Sequence, residues 1–454
     1  MLFIRAHGQE MWGINNSNYS GSYGLALNPS TIAGAPYKYD YNILAFDVFL
    51  QNNMAYIPAS DKLLYRTFSG SSDAPTVVVD NYSDSKKSVF MHLQLLGPSY
   101  VWSEDKNSSW AFHTAFRTEA GVLKVPFAFG AFGDANINFP SSSGKNFSVP
   151  GFSTAAMSWA EAGITYGRMA ANHEKDYLKW AVTLNFLDGL EGAYVNVKNL
   201  NYTTTDSTST LQQGNATYAH SIGSNFPSTR GWGLGTTIGV TYIHDRSQRA
   251  FSLKRAADDL QKYQYRLGFS LMDVGMVRFN NQSEVVNLNP TGVAQTNNVN
   301  NLPFNSFQQF DTMIVHRVGG SALSKPFNIW LPMAASLQFD YALSPHWYAN
   351  ASILNRIHFM GNEIARGNQA VMAVRYERRN FEVAINLNLF EYSSLSSGFC
   401  FRYKWFILGS DRVSQLASIS NFNAIDLYFG FKVNFTELHK KNKHVHSCPA
   451  YKAN

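Results

Sequence analysis

The sequence predicts an all-β protein: a transmembrane antiparallel β-barrel of about 14 strands, with an N-terminal lead-in or plug segment and long extracellular loops. Three observations predict it. Ala424–Phe435 alternates strictly, with Ile425, Leu427, Phe429, Phe431, Val433 and Phe435 separated by Asp426, Tyr428, Gly430, Lys432 and Asn434. Successive strand side chains point to opposite faces, so this period gives one greasy face and one wet face. The same alternation recurs in Gln369–Tyr376, Phe381–Leu389 and Gly398–Ile407, joined by short polar links at Arg378–Asn380 and Ser393–Ser397. Such links pair neighbouring strands antiparallel. Finally, aromatics make up 15% of the 454 residues and charged residues only 15%, yet no run of about 18 apolar residues exists that could form a helical span. A wall with lipid outside and water inside has no unpaired backbone edge only if it closes.

Taken from the start, Met1–Gly8 reads as the remnant of an export signal, Ala6 and Gly8 standing at the −3 and −1 positions of a small-residue cleavage site. Residues 9–37, rich in Asn, Ser, Gly and Tyr, read as an irregular lead-in or plug. Residues 38–436 form the barrel, and 437–454 a basic periplasmic tail. Strand signals follow at Leu44–Leu50, Val89–Leu95, Trp110–Phe116, Ala160–Tyr166, Leu178–Phe186, Trp232–Tyr242, Tyr263–Leu271, Leu337–Tyr341 and Trp347–Ile353. With the last four this gives about 13, and an even number keeps both ends on the periplasmic side. The missing strand is sought near Gly189–Asn201 or Asp311–Val318. Asp105–Ser108, Ala171–Asp176, Ser344–His346 and Arg378–Asn380 read as periplasmic turns. Pro58–Lys87, Asn199–Arg230 and Asn280–Pro326 read as extracellular loops, the Thr/Ser-rich stretch Thr203–Thr210 among them. Ala120–Phe132 reads as a short helix or hairpin tucked into the lumen.

Several segments resemble a Bacteroidota family of outer-membrane barrels of uncharacterised function. They are Leu27-Asn28-Pro29-Ser30, Gly268–Gly275 (GFSLMDVG), Leu331-Pro332 leading to Phe339-Asp340-Tyr341, and Gly409-Ser410-Asp411 leading to Tyr428-Phe429-Gly430. More broadly the chain is similar to 14-stranded barrels of the long-chain fatty-acid transporter type and to gliding- and type IX secretion-associated barrels. The resemblance implies residence in the bacterial outer membrane, contact with its lipid, and a C-terminal strand read by the barrel assembly machinery.

The wet-face charges Arg117, Glu161, Lys179, Arg266, Asp340, Arg375, Glu382, Arg402, Lys404, Asp426 and Lys432 are the candidate lumen-lining residues. They serve either a polar path or a cross-strand charge ladder that fills a narrow barrel. Trp180, Trp232, Tyr242, Tyr263, Trp347 and Trp405 read as interfacial girdles. The two cysteines, Cys400 and Cys448, are too few for a disulfide framework. No GxSxG motif occurs, His92 and His113 are wet-face residues, and no catalytic residue is assigned. His439, His444, His446 and Cys448 are metal-ligand types, but in a Lys-rich tail they read as solvated. No metal or cofactor is expected. A net charge of +6 without a concentrated basic helix points away from nucleic acid. Two functions fit: passage or binding of a small hydrophobic or amphipathic molecule, or a non-catalytic interaction barrel whose loops dock protein partners in secretion, adhesion or envelope assembly. A continuous lumen favours the first, a filled one the second.

Overall fold

The computed structural model describes residues 10–435 apart from 36, 63–64, 67–68, 70–77, 81–85, 106, 127–144, 174, 205–207, 224, 246–262, 290–293, 298–305 and 360. The proposed signal remnant and the basic tail therefore lie outside the described residues.

The wall is one closed antiparallel sheet of 14 strands. In chain order they are β1 (Tyr39–Asn52), β2 (Lys87–Leu96 and Ser99–Ser103), β3 (Ser108–Val125), β4 (Lys145–His173) and β5 (Asp176–Thr204). Next come β6 (Thr208–Ser221 and Gly231–Asp245), β7 (Tyr263–Phe279, Glu284–Leu288 and Ala294–Asn297), and β8 (Gly320–Ser324, Phe327–Trp330 and Ala334–Ala342). The rest are β9 (Trp347–Arg356), β10 (Gln369–Arg378), β11 (Phe381–Phe390), β12 (Ser394–Tyr403), β13 (Phe406–Ser410) and β14 (Ala424–Phe435). Closure is made by β1 and β14, paired from Tyr39↔Phe435 to Gln51↔Ala424 with one bulge at Ile43. That pairing removes the two edges any open sheet would leave unbonded in hydrocarbon.

Alternation sets the faces. On β11, Ile385 and Leu387 are 59% and 51% exposed while Asn386 and Asn388 are 1% and 0% exposed. The outward set across the wall is aliphatic and aromatic, including Leu184, Phe186, Leu234, Phe269, Leu337 and Met372. Trp110 packs on Tyr166, Trp347 on Tyr376 and Trp405 on Phe431, near the end that carries the short turns. Tyr39, Phe435 and the turns before Ser108, Asp176, Trp347, Phe381 and Phe406 share that end, which for a barrel of this kind is the periplasmic one.

Several expectations are corrected. The missing strand is neither Gly189–Asn201, which continues β5, nor Asp311–Val318, which is helical. It is β13. The apparent single strand Gly398–Ile407 is a hairpin whose two-residue turn, Lys404-Trp405, places Lys404 in the left-handed region at φ 52°. A two-residue turn shifts the alternation, so Ile407 faces inward and is buried, and Lys404 is exposed in the turn rather than lining the lumen. Tyr263 is likewise not a girdle residue: it is buried, its hydroxyl donating to Asp340. Asn199–Arg230 and Asn280–Pro326 are largely wall, not loop. β4 and β5 run 29 residues each, and β6, β7 and β8 rise beside them. About 9–11 residues suffice to cross the hydrocarbon, so this part of the wall stands well clear of the membrane. Residues 120–125 belong to β3, not to a tucked helix, and 127–132 lie outside the described residues.

Inside the barrel lies the N-terminal segment. A short helix α1 (Trp12–Asn15) and 3-10 turns at Gly21–Leu25 and Pro29–Ile32 are almost wholly buried. The last turn begins at Asn28, whose side-chain oxygen accepts from Ser30 N, with Pro29 at its first position. Among the described residues two further α-helices lie at the extracellular end, α2 (Phe307–Val318) and α3 (Val413–Leu416).

Candidate functional site: a plugged lumen

Strand periodicity delivers the inward charges, and the plug completes them. Toward the periplasmic end, Arg375 of β10 donates to Glu377 at 2.7 Å and to Asp340 of β8 at 3.1 Å. Asp340 also binds Arg266 of β7 and accepts from the Tyr263 hydroxyl at 2.6 Å. Arg402 of β12 donates to Glu382 of β11 at 2.9 Å, and Lys432 of β14 lies 3.2 Å from Asp40 of β1. The plug adds the remaining partners. Ser17 donates to Glu382 at 2.8 Å, Asn18 to Glu377 at 2.8 Å, and Lys432 donates to Ser20 O at 2.8 Å. Arg266 donates to Asn16 O at 2.9 Å, and at the other end of β10 the Trp12 indole donates to Gln369 at 2.7 Å. A buried polar backbone needs such partners, since each unmet group costs a desolvation penalty of about 1–3 kcal/mol.

A second network sits further toward the extracellular mouth. Arg117 of β3 grips Asp273 of β7 with two bonds of 3.0 Å, contacts Glu119, and lies 3.6 Å from Glu161 of β4. Asp273 is shared with Arg366, at 2.9 Å, and Arg366 reaches Glu10 of the plug at 2.6 Å. His92 lies 3.1 Å from Glu119, and His113 3.7 Å from Glu161. Arg366 comes from the 357–368 connection, which folds inward from the extracellular end instead of staying at the rim. Gly121 makes room for it, because a Cβ there would overlap the backbone of Ala365. Above this network the lumen is apolar: Trp159, Leu187, Val277, Phe279, Phe327, Ile329 and Leu331 form one cluster with Ile364 of the inward connection.

The predicted lumen residues are thus placed as follows. Arg117 and Glu161 belong to the upper network; Arg266, Asp340, Arg375, Glu382, Arg402 and Lys432 to the lower. Lys179 lines a cavity of about 50 Å³ with Arg266, Asp340 and Asn28. Asp426 sits with Asp411, whose backbone N–H it accepts at 2.7 Å, on the opposite wall. Lys404 stands apart in its turn. Sequence reasoning missed Glu10, Glu119, Asp273, Arg366, Asp411 and Arg412. Asp273 carried a signal: it interrupts an apolar strand inside GFSLMDVG and adopts φ 53°, the bulge conformation that turns its side chain into the lumen. Arg366 carried none, because nothing local tells a rim loop from an inward one.

Beside the upper network lies a cavity of about 60 Å³ lined by Glu10, His92, His113, Arg117, Asp273 and Arg366. Among the described residues the plug and the inward side chains fill the lumen, and the cavities at the two networks, of about 60 and 50 Å³, have room for no more than a water or two each. The arrangement can hold a plug in place by charge-assisted hydrogen bonds that can be exchanged for water. Residues 29–411 match the sequence model of a family of unknown function, DUF5723. The chain belongs to that family. No curated protein matches it. Among solved structures it is similar to a deletion mutant of the TodX monoaromatic hydrocarbon channel, at 13% identity over 95% of this chain and 98% of that one, with a TM-score of 0.47. It is also similar to the toluene transporter TodX of Pseudomonas putida (12%, 96% and 99%, TM-score 0.44) and the toluene transporter TbuX of Ralstonia pickettii (9%, 95% and 99%, TM-score 0.43).

Proposed function

We propose that the protein is a bacterial outer-membrane barrel that takes in a small hydrophobic or amphipathic molecule at its extracellular mouth and releases it past a displaceable N-terminal plug. The observation that carries this reading is the order of layers along the lumen. An apolar cluster built around Trp159, Phe279 and Phe327 comes first, then an ionic network, then a plug held by side-chain bonds. Where these packed side chains part to admit a solute, burial favours an apolar one, by roughly 25 cal/mol per Å². The plug contributes no strand to the wall, so the barrel keeps its ladder when the plug shifts. The reading is non-enzymatic and needs no cofactor. It places the final strand, β14, as the element that the assembly machinery engages, and lipid against the outward aliphatic band.

The test pins the plug. Ser30 and Thr241 hydroxyls lie 2.6 Å apart, one on the plug and one on β6. Side chains this close bring their Cβ atoms within reach of a disulfide. In a Cys448→Ser background, Ser30→Cys/Thr241→Cys should block uptake of a labelled monoaromatic hydrocarbon by cells when oxidised and restore it on reduction. Equal uptake in both states would remove the passage reading.

A second reading is favoured by the filled lumen, the outcome that speaks for an interaction barrel unless the plug moves, and by the long β4 and β5, whose extension beyond the membrane offers surface without lining a path. It makes the protein an interaction barrel serving secretion, gliding or envelope assembly, and it predicts no plug-dependent uptake at all.

A further inference from the structure

Helix α2 carries a charge where its packing calls for an apolar residue. Ser306 caps it, accepting from Gln309 N at 3.3 Å, and Gly319 at φ 86° ends it. Phe307, Ile314 and Val318, spaced on one face, pack toward the wall: Ile314 and Val318 join the apolar patch of Val197, Leu200 and Leu211, and the Phe307 ring lies 4.8 Å from that of His220. Asp311 falls on the same stripe and is 1% exposed. A buried carboxylate is costly unless it is paired. What meets it comes from two strands. Ala219 and Val285 face the lumen cluster, so alternation turns Tyr218, His220 and Glu284 to the other side of the wall, under α2. Tyr218 donates to one Asp311 oxygen at 2.5 Å, and His220 Nε2 lies 2.8 Å from the other. Glu284 is the direct cross-strand partner of His220. One ligand atom from each of His220, Glu284 and Asp311 lies within 4.8 Å of the others.

We infer that His220, Glu284 and Asp311 form a binding site for a divalent transition metal ion, Zn²⁺ by ligand type, that fastens α2 to the outer face of the extended wall. The donor set is one imidazole nitrogen and two carboxylate oxygens, each a donor type that zinc takes, and three protein ligands leave a fourth position for water. Imidazole argues against calcium or magnesium, which take oxygen. Bonds of about 2.0–2.2 Å put ligand atoms roughly 3.3–3.6 Å apart, so an inward shift of about an ångström closes the site around an ion. Among the described residues no Lys or Arg forms an ion pair with Glu284 or Asp311. The Glu284 and Asp311 carboxylates offer oxygens within 4.8 Å of one another and repel when both are charged. A cation between them resolves that repulsion. Glu284 is partly exposed, which leaves an entry from solvent. The site lies outside the lumen, so it stands whichever reading of the lumen holds.

The experiment uses the full-length protein folded in detergent, titrated with Co²⁺ as a spectroscopic probe and then with Zn²⁺. One Co²⁺ per chain should bind with a tetrahedral-type visible spectrum that Zn²⁺ abolishes. His220→Ala and Asp311→Asn should weaken binding by at least the 10–100-fold that loss of a supporting residue costs a metal site. Glu284→Gln, at the most exposed of the three positions, does the same with the least risk to folding, which heat-modifiable gel migration checks. A variant with His439→Ala, His444→Ala, His446→Ala and Cys448→Ser should keep the spectrum. Binding that survives Glu284→Gln and His220→Ala, or that vanishes with the tail ligands, overturns the proposal, as does no binding at all.

Discussion

Replacing Asp273 by Asn tests whether the upper ionic network holds the plug. The change keeps the shape and removes the charge. Asp273 accepts two bonds from Arg117 and one from Arg366, all between 2.9 and 3.0 Å and all out of solvent. An amide presents one acceptor and one donor group to these two donor-only guanidinium groups. At least one N–H···O bond is lost and one donor is set against another, while Arg117 and Arg366 stay buried with less compensation. Removing one partner of a buried ion pair costs about 3–5 kcal/mol. A whole domain is held by roughly 5–15 kcal/mol, so the effect is large. The assay is urea unfolding of the purified barrel in detergent or vesicles, followed by loss of heat-modifiable migration. The second readout is local. Arg366 is the link to Glu10, at 2.6 Å, so the plug should loosen before the wall does. A cysteine at Ser22, buried against the 60 Å³ cavity, should become reactive to a maleimide in the Asp273→Asn background and stay inert in its absence. Adding Arg366→Gln should cost less than the sum of the single changes, because neighbours in one network couple by about 0.5–3 kcal/mol. A loss below about 1 kcal/mol, the ordinary worth of one neutral hydrogen bond, with Ser22→Cys still inert, would refute the idea that this network secures the plug.

Leu387→Arg puts a charge on the lipid face and should cost roughly 2–4 kcal/mol of barrel stability; folding yield into vesicles checks it. The sequence alone makes Asn388→Arg the mild counterpart, but Asn388 is fully buried and donates to Gln369 at 3.0 Å, so overpacking there should also lower the yield. Deleting Glu437–Asn454 should leave a heat-modifiable barrel, whereas deleting from Ala424 removes the strand that closes on β1 and should abolish it. In the turn before β3, the backbone N–H groups of Asn107 and Ser108 donate to Asp105 at 2.6 and 2.7 Å and hold its carboxyl below the ordinary range. A depressed carboxyl stabilises above its unfolded pKa and loses that contribution as pH falls through the folded one. Asp105→Ala should therefore differ from the unaltered protein at neutral pH and converge with it in acid, as read from thermal unfolding.

The wall was legible in the sequence because lipid on one side and a polar interior on the other impose a period of two on every crossing strand. Ile385 and Leu387 outward, Asn386 and Asn388 inward, follow from that rule alone, as does the inward placement of Arg375, Glu382 and Arg402. The even strand number also followed, from the need to bring both ends to one side. Where a two-residue turn interrupts the period, at Lys404-Trp405, alternation alone misleads: two strands read as one, and Lys404 and Ile407 fall on faces opposite to what the period implies. Tertiary structure decided everything that depends on which strands become neighbours. Asp273 lies 156 residues from Arg117 and 93 from Arg366, and His220 lies 91 from Asp311. No local pattern encodes such pairs. Whether the lumen is open or filled is likewise not a property of any strand. Glycine and small residues at inward positions leave room, and only the path of 10–37 and of the 357–368 connection shows what occupies it, because irregular segments carry no period by which their place could be read.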